Sequence, residues 1–125
     1  MSNTDITKQA RLRKYLKRII AENPLSLAAE VAAEALEHNG TDIISFFSDL
    51  LRYGCQSGIV GKLIYYFDTH AFYDKHYNEI EQLRYELEED FGEPLHPQGD
   101  LKNWYAWMAF EETARKLLAG AGYEL

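Results

Sequence analysis

With 125 residues, 46% hydrophobic and 26% charged, the chain is long enough for one domain, 1–125, whose core needs neither disulfides nor a structural metal. Its single cysteine, Cys55, excludes an intramolecular disulfide and a thiolate-rich zinc site, which fits a reducing cytoplasm. No apolar run nears the roughly 20 residues that span a bilayer, and the polar N-terminus lacks a signal-peptide pattern, so the expectation is a soluble protein without a membrane partner. The formal charge of −7 is unevenly placed: residues 1–20 hold six Lys/Arg against Asp5, and the remainder holds seven Lys/Arg against nineteen Asp/Glu. A basic leader precedes an acidic body. Opposite charges attract at short range, so the simplest expectation is that the leader folds back on the body.

Helical punctuation runs along most of the chain and predicts an all-α domain of five or six helices, a helical bundle. Thr4 or Asp5 caps a first helix through Ala21, with Leu12, Tyr15, Leu16, Ile19 and Ile20 on one face and Arg11, Arg13, Lys14, Lys17 and Arg18 away from it. Asn23-Pro24 starts a second, alanine-rich helix over 25–38 that stops at Asn39-Gly40. Thr41 or Asp42 caps a third, in which Ile43, Ile44, Phe46, Phe47, Leu50 and Leu51 mark the centre of the core before Gly54. The segment 54–67 is open between a short helix capped by Ser57 and a strand. From Asp68-Thr69 to Phe91 the spacing predicts one continuous helix, with Tyr73, His76, Tyr77, Ile80, Leu83, Leu87 and Phe91 on one stripe. Gly92, Pro94, Pro97 and Gly99 make a loop. Asp100 then caps a last helix through Ala119 with Gly120 as its stop, and Leu101, Trp104, Trp107, Met108, Ala114 and Leu118 as its apolar face.

The long helix carries the strongest functional signal. Between residues 79 and 93 stand Glu79, Glu81, Glu86, Glu88, Glu89, Asp90 and Glu93 against one base, Arg84. Such a surface selects cationic partners and repels free nucleic acid. A helical wheel sets Tyr85 among Glu81, Glu88 and Glu89, with Asp90 on the flank, and these five residues are the candidate contacts for a protein with a basic surface. A tyrosine ringed by charge gives contact area at low entropic cost while the charges steer the partner. The competing reading is a solvated face. The alternative contact is nucleic acid on the first helix, through Arg11, Lys14, Lys17 and Arg18.

Signatures of catalysis are thin, and no catalytic residue, cofactor or metal is assigned. Glu111 falls inside the apolar stripe of the last helix, where a carboxylate must be paired or neutral. A structural pair with Arg115, Arg52, Lys62 or His70 satisfies it, and the enzymatic alternative is a general base built around Glu111 and His70. Asp68, His70, Asp74 and His76 cluster in sequence, but neither Glu-x-x-His nor His-Glu-x-x-His occurs to complete a metal site. Gly54-Cys55-Gln56-Ser57-Gly58 resembles a nucleophile turn without charge-stabilising neighbours, and no phosphate-binding glycine loop is present.

Several segments together resemble a known family. They are Gly54-Cys55-Gln56-Ser57-Gly58, Tyr65-Tyr66-Phe67-Asp68-Thr69-His70-Ala71-Phe72-Tyr73-Asp74, Gly92-Glu93-Pro94-Leu95, Gly99-Asp100-Leu101-Lys102-Asn103-Trp104 and Ala109-Phe110-Glu111-Glu112-Thr113-Ala114. Over residues 54–114 the chain is similar to a family of small domains without assigned activity found in phages and bacterial mobile elements, the family-like part reaching to about 119. The basic first helix lies outside that match. The resemblance implies a setting in the bacterial host cytoplasm, where small acidic proteins of such elements disable host defence as anti-CRISPR or antirestriction inhibitors. The implied role is non-catalytic binding, with carboxylates standing in for nucleic-acid phosphates. The aromatic surplus of nine Tyr, six Phe and two Trp also leaves a homodimer interface open.

Overall fold

A computed structural model of the chain describes residues 3–37, 43–53, 68–95 and 99–123. These residues form six helices and no strand: α1 (Asn3–Glu22), α2 (Leu27–Glu37), α3 (Ile43–Tyr53), α4 (Thr69–Lys75), α5 (Tyr77–Phe91) and α6 (Leu101–Gly120). The segment 54–67, left open between helix and strand, lies outside the described residues, as do Asn39-Gly40, Cys55 and Lys62. Among the described residues no helix is long and apolar enough to cross a membrane.

Helix α6 is the axis, with α2, α3, α4 and α5 packed on it and α1 laid across α2 and α3. Its buried face is Ala106, Trp107, Ala109, Phe110, Thr113, Ala114, Leu117 and Leu118, a pair of residues per turn at helical spacing. The predicted face was displaced toward the N-terminus: Leu101 and Trp104 are exposed, and Phe110 takes the central place. Helix α3 supplies Ile43, Phe46, Phe47 and Leu50, all essentially inaccessible, as expected for the core element. Burying a ring such as Phe46, Phe47 or Phe110 stabilises the fold by about 2–3 kcal/mol.

Local capping follows the sequence closely. Asp68 accepts a hydrogen bond from the Ala71 amide at 3.0 Å and Asp100 one from Asn103 at 3.2 Å, each satisfying an orphan N–H of a helix start. Ser26 caps α2 by accepting from Ala29, so that helix begins two residues later than the proline signal suggested. Gly92 closes α5 in the left-handed region (φ 75°), its N–H donating to the carbonyls of Glu88 and Glu89.

Two expectations fail for tertiary reasons. The rod predicted over residues 68–91 breaks at His76, whose backbone (φ −112°, ψ 29°) separates α4 from α5. His76 is buried and donates to the Glu30 carboxylate of α2, while its ring lies edge-on to Phe72 with centroids 5.1 Å apart. Gly120, expected to stop α6, remains helical, and the left-handed residue is Gly122 (φ 85°). A Cβ at Gly120 would come within 2.1 Å of the Tyr15 hydroxyl, so the missing side chain makes room for the Tyr15 ring of α1 against the end of α6.

Candidate binding surfaces

Most of the carboxylates of α5 are committed to the architecture. Glu79 accepts from the first amide of α2, Leu27 N, with both oxygens (3.3 and 3.2 Å), so a residue of α5 helps to cap α2. Glu81 and Glu88 clamp Arg84 from either side at 2.7 and 2.8 Å, and Glu88 also accepts from the Leu95 amide. Tyr73 donates to Glu81 at 2.7 Å. Burial pushes the Glu81 carboxyl up, but hydrogen bonds from Tyr73 and Arg84 outweigh it and leave the group below the usual carboxylate range. The Tyr73 phenol, partly desolvated and bonded to that carboxylate, is pushed up to about 12. Glu86 pairs with Lys116 of α6 at 3.3 Å and accepts from Gln82, and these bonds lower it too.

Three of the seven carboxylates, Glu89, Asp90 and Glu93, are exposed and have no ion pair or hydrogen bond among the described residues. All three stand at the C-terminal end of α5, where the helix dipole is already negative and no basic residue occupies the last turn. Tyr85, 56% exposed, joins Glu88, Glu89, Gly92, Glu93 and Pro94 around a shallow concavity of about 310 Å³. The candidate contacts Tyr85, Glu88 and Glu89 therefore come together. Asp90 is exposed beside them, and Glu81 faces Arg84 and Tyr73 instead. Glu93 and Pro94 were not among the candidates; the signal was the left-handed stop at Gly92, which turns the chain back over the end of α5.

The cations of α1 behave differently. The leader folds back on the body through its packing on α2 and α3, and its only ion pair among the described residues is internal, Arg18 to Glu22 at 3.4 Å. Arg11 lies over the ring of Tyr123 at 5.7 Å and Arg18 over Tyr15 at 5.2 Å. Arg11, Lys14 and Arg18 border one concavity of about 390 Å³ with Gly120 and Ala121, at the negative end of α6. Lys17 is exposed and does not border it.

Glu111 and His70 do not form one site. His70 is bonded to Asp100 at 2.5 Å, at the N-cap of α6, and Glu111 lies eleven residues further on, about 16 Å along the helix. The His70 bond is the largest cause of an Asp100 carboxyl below its ordinary value. Arg115 sits 3.8 Å from Glu112 rather than on Glu111. Glu111 has no hydrogen-bond partner among the described residues, and burial raises its carboxyl, only partly offset by the Arg115 charge. The sequence cluster Asp68, His70, Asp74 and His76 is likewise dispersed: Asp68 caps α4, Asp74 meets Lys102 at 3.0 Å, and the histidines face Asp100 and Glu30. Among the described residues no three His, Cys, Asp or Glu side chains are grouped to hold a metal ion.

Fold and surfaces together define a small all-α module with a basic face on one helix and an acidic face on another. The chain belongs to the family described as Domain of unknown function (DUF7222), which it matches over residues 11–123. The match takes in α2, α3 and most of α1, so the basic helix is part of the family domain and not, as the resemblance over 54–114 suggested, outside it. No curated protein and no solved structure matches the chain.

Proposed function

We propose that the protein acts by stoichiometric binding to a cationic protein surface through the end of α5, and that the surface it covers is one that otherwise grips nucleic acid. The carrying observation is the set Glu89, Asp90 and Glu93, unpaired among the described residues at the negative end of a helix and adjoining the exposed ring of Tyr85. Charges placed against the helix dipole weaken the free protein, a cost that an incoming Lys/Arg surface removes. Carboxylates on a helical frame compete for the same cations as phosphates, and their hold fades with salt. The specific form proposed is inhibition of a bacterial nucleic-acid-guided or nucleic-acid-cleaving defence complex, of the anti-CRISPR or antirestriction kind, in a phage or mobile-element setting.

The test compares the wild type with the triple variant Glu89→Lys, Asp90→Lys, Glu93→Lys as immobilised baits in bacterial lysate at low and moderate salt. The expected result is a nucleic-acid-binding protein retained by the wild type alone. Purified, that protein should release labelled DNA or RNA when the wild type is added and keep it when the triple variant is added. Equal retention and equal displacement by both baits would reject this surface.

A second reading has its own observation: Arg13, Lys14 and Lys17 have no internal ion pair among the described residues. On that reading α1 lies along nucleic-acid phosphates. A mobility shift with plain duplex DNA separates the two, since binding lost on substituting Lys14 and Lys17 and fading steeply with salt supports only the second.

A further inference from the structure

On the flank of α5 away from Tyr85, the apolar stripe of that helix runs out of the core without being covered by described residues. Phe91 is 67% exposed and faces a cleft of about 510 Å³ bordered by Leu87 and Leu95 on one side and by Trp104, Trp107 and Met108 of α6 on the other. The volume is that of a small-molecule site, and the lining combines six apolar or aromatic residues with four polar ones, Asn103, Glu111, Glu112 and Arg115. The Glu111 carboxylate is half-buried, and no described group donates to it; the nearby guanidinium of Arg115 is turned to Glu112.

We propose that this cleft binds an organic ammonium ion with an aromatic or branched apolar body, the rings of Phe91, Trp104 and Trp107 taking the body and the Glu111 carboxylate taking the nitrogen. Three features of the site converge on that chemistry. Aromatic faces attract cations through their quadrupole, and Trp does so most strongly. A carboxylate with a lone pair unused in a low-dielectric wall gains more from a charged donor than one in water. The charged residues of the lining are Glu111 and Glu112 against Arg115, whose guanidinium lies 3.8 Å from Glu112, so Glu111 is the carboxylate left to select a cation over an anion. Burial raises the Glu111 carboxyl, partly offset by the Arg115 charge, and an ammonium ion beside it would favour the carboxylate form. This site is separate from the Tyr85 surface and does not depend on the function proposed for it.

The protein contains two tryptophans, Trp104 and Trp107, and both border the cleft, so intrinsic fluorescence reports occupancy directly. Titration of the full chain with 2-phenylethylammonium, 2-phenylethanol and 3-phenylpropionate, three probes of like body and different charge, tests the proposal. Saturable quenching or shift is expected with the ammonium at about tenfold lower concentration than with the alcohol, and weakest with the anion. Glu111→Gln should keep the helical circular dichroism and the melting temperature while erasing the preference for the ammonium. Trp104→Ala, at a position 37% exposed, should weaken the alcohol and the ammonium alike. The triple Lys variant at the end of α5 should bind the ammonium within about twofold of wild type. Equal affinity for all three probes, or a preference surviving Glu111→Gln, would overturn the site as an ammonium site and leave an apolar slot for a neutral side chain. A preference abolished by the triple variant would assign it to the general negative potential, which overturns the proposal equally.

Discussion

Helices α1 and α5 carry the two densest charge runs of the chain, yet their charges do different things. On α1 the apolar residues Leu12 and Leu16 hold the helix to the body, and the cations need no acid from that body: two lie over tyrosine rings, and the one ion pair among described residues is internal. On α5 the charges are structural for most of the helix. Glu79 caps α2, Glu81 and Glu88 hold Arg84, Glu86 reaches Lys116, and only the last turn keeps carboxylates without partners. A count of charges therefore misplaces the field of this molecule. Along α5 the carboxylates without partners are gathered at its C-terminal end, whereas the basic charge of α1 is spread along that helix.

The largest expected effect breaks the comparison at the root of α5. His76 has a side chain 2% exposed, and it ties the α4–α5 junction to Glu30 of α2, which Lys75 also reaches at 3.3 Å. Removing the ring opens a cavity and strips Glu30 of its buried donor. His76→Ala should cost about 3 kcal/mol, read from urea denaturation. Lys14→Ala and Lys17→Ala on α1, by contrast, should fall within about 0.5 kcal/mol of wild type. Comparable losses at both helices would mean that the cations of α1 also serve the fold.

The break at His76 also shows where sequence reasoning stops. Caps are local, so Asp68, Asp100 and Gly92 were legible from residue type and spacing alone, and so was the buried face of α3. His76 lies in an unbroken helical pattern without Gly or Pro, and the backbone bonds to Phe72 and from Ile80 continue through it. The residue at the break is bonded to a carboxylate 46 positions away, a contact for which periodicity holds no signal. Gly120 fails in the same way, since its lack of a side chain serves Tyr15 of α1 rather than a turn. The acidic site was half legible. The clamp on Arg84 follows from i,i+3 and i,i+4 spacing, but the spending of Glu79 and Glu86 on α2 and α6 depends on contacts 52 and 30 residues apart.

Arg84→Gln sharpens the comparison in both stability and binding. The substitution removes two ion pairs and the contact of the guanidinium with the Tyr105 ring, at a cost of about 1 kcal/mol for a partly exposed network. It also releases Glu81 and Glu88 toward solvent, so the affinity of the α5 surface for a cationic partner should rise severalfold. The pH dependence has a definite sign. Glu81 lies below its ordinary value in the folded protein, so its contribution is present above that value and is lost as pH falls through the lowered one. The stability gap between wild type and Arg84→Gln should therefore narrow in acid. A gap constant down to pH 3 would place the effect of Arg84 in packing on Tyr105.

The smallest effect is the most discriminating, because it reverses sign between the two measurements. Asp90 stands in the last turn of α5, exposed, beside Glu89 and without a partner among the described residues. A positive charge at that position complements the helix dipole and removes a like charge four residues from Glu86, so Asp90→Lys should stabilise the free protein by a few tenths of a kcal/mol. The same change subtracts two charge units from the surface proposed to meet a cationic partner, and association at low salt should slow by severalfold. A purely solvating face would show the gain in stability with no loss of binding. A residue required by the fold would show a loss of both. Stabilisation coupled to weakened association is the outcome that separates a helix end kept for an encounter from one that is merely wet.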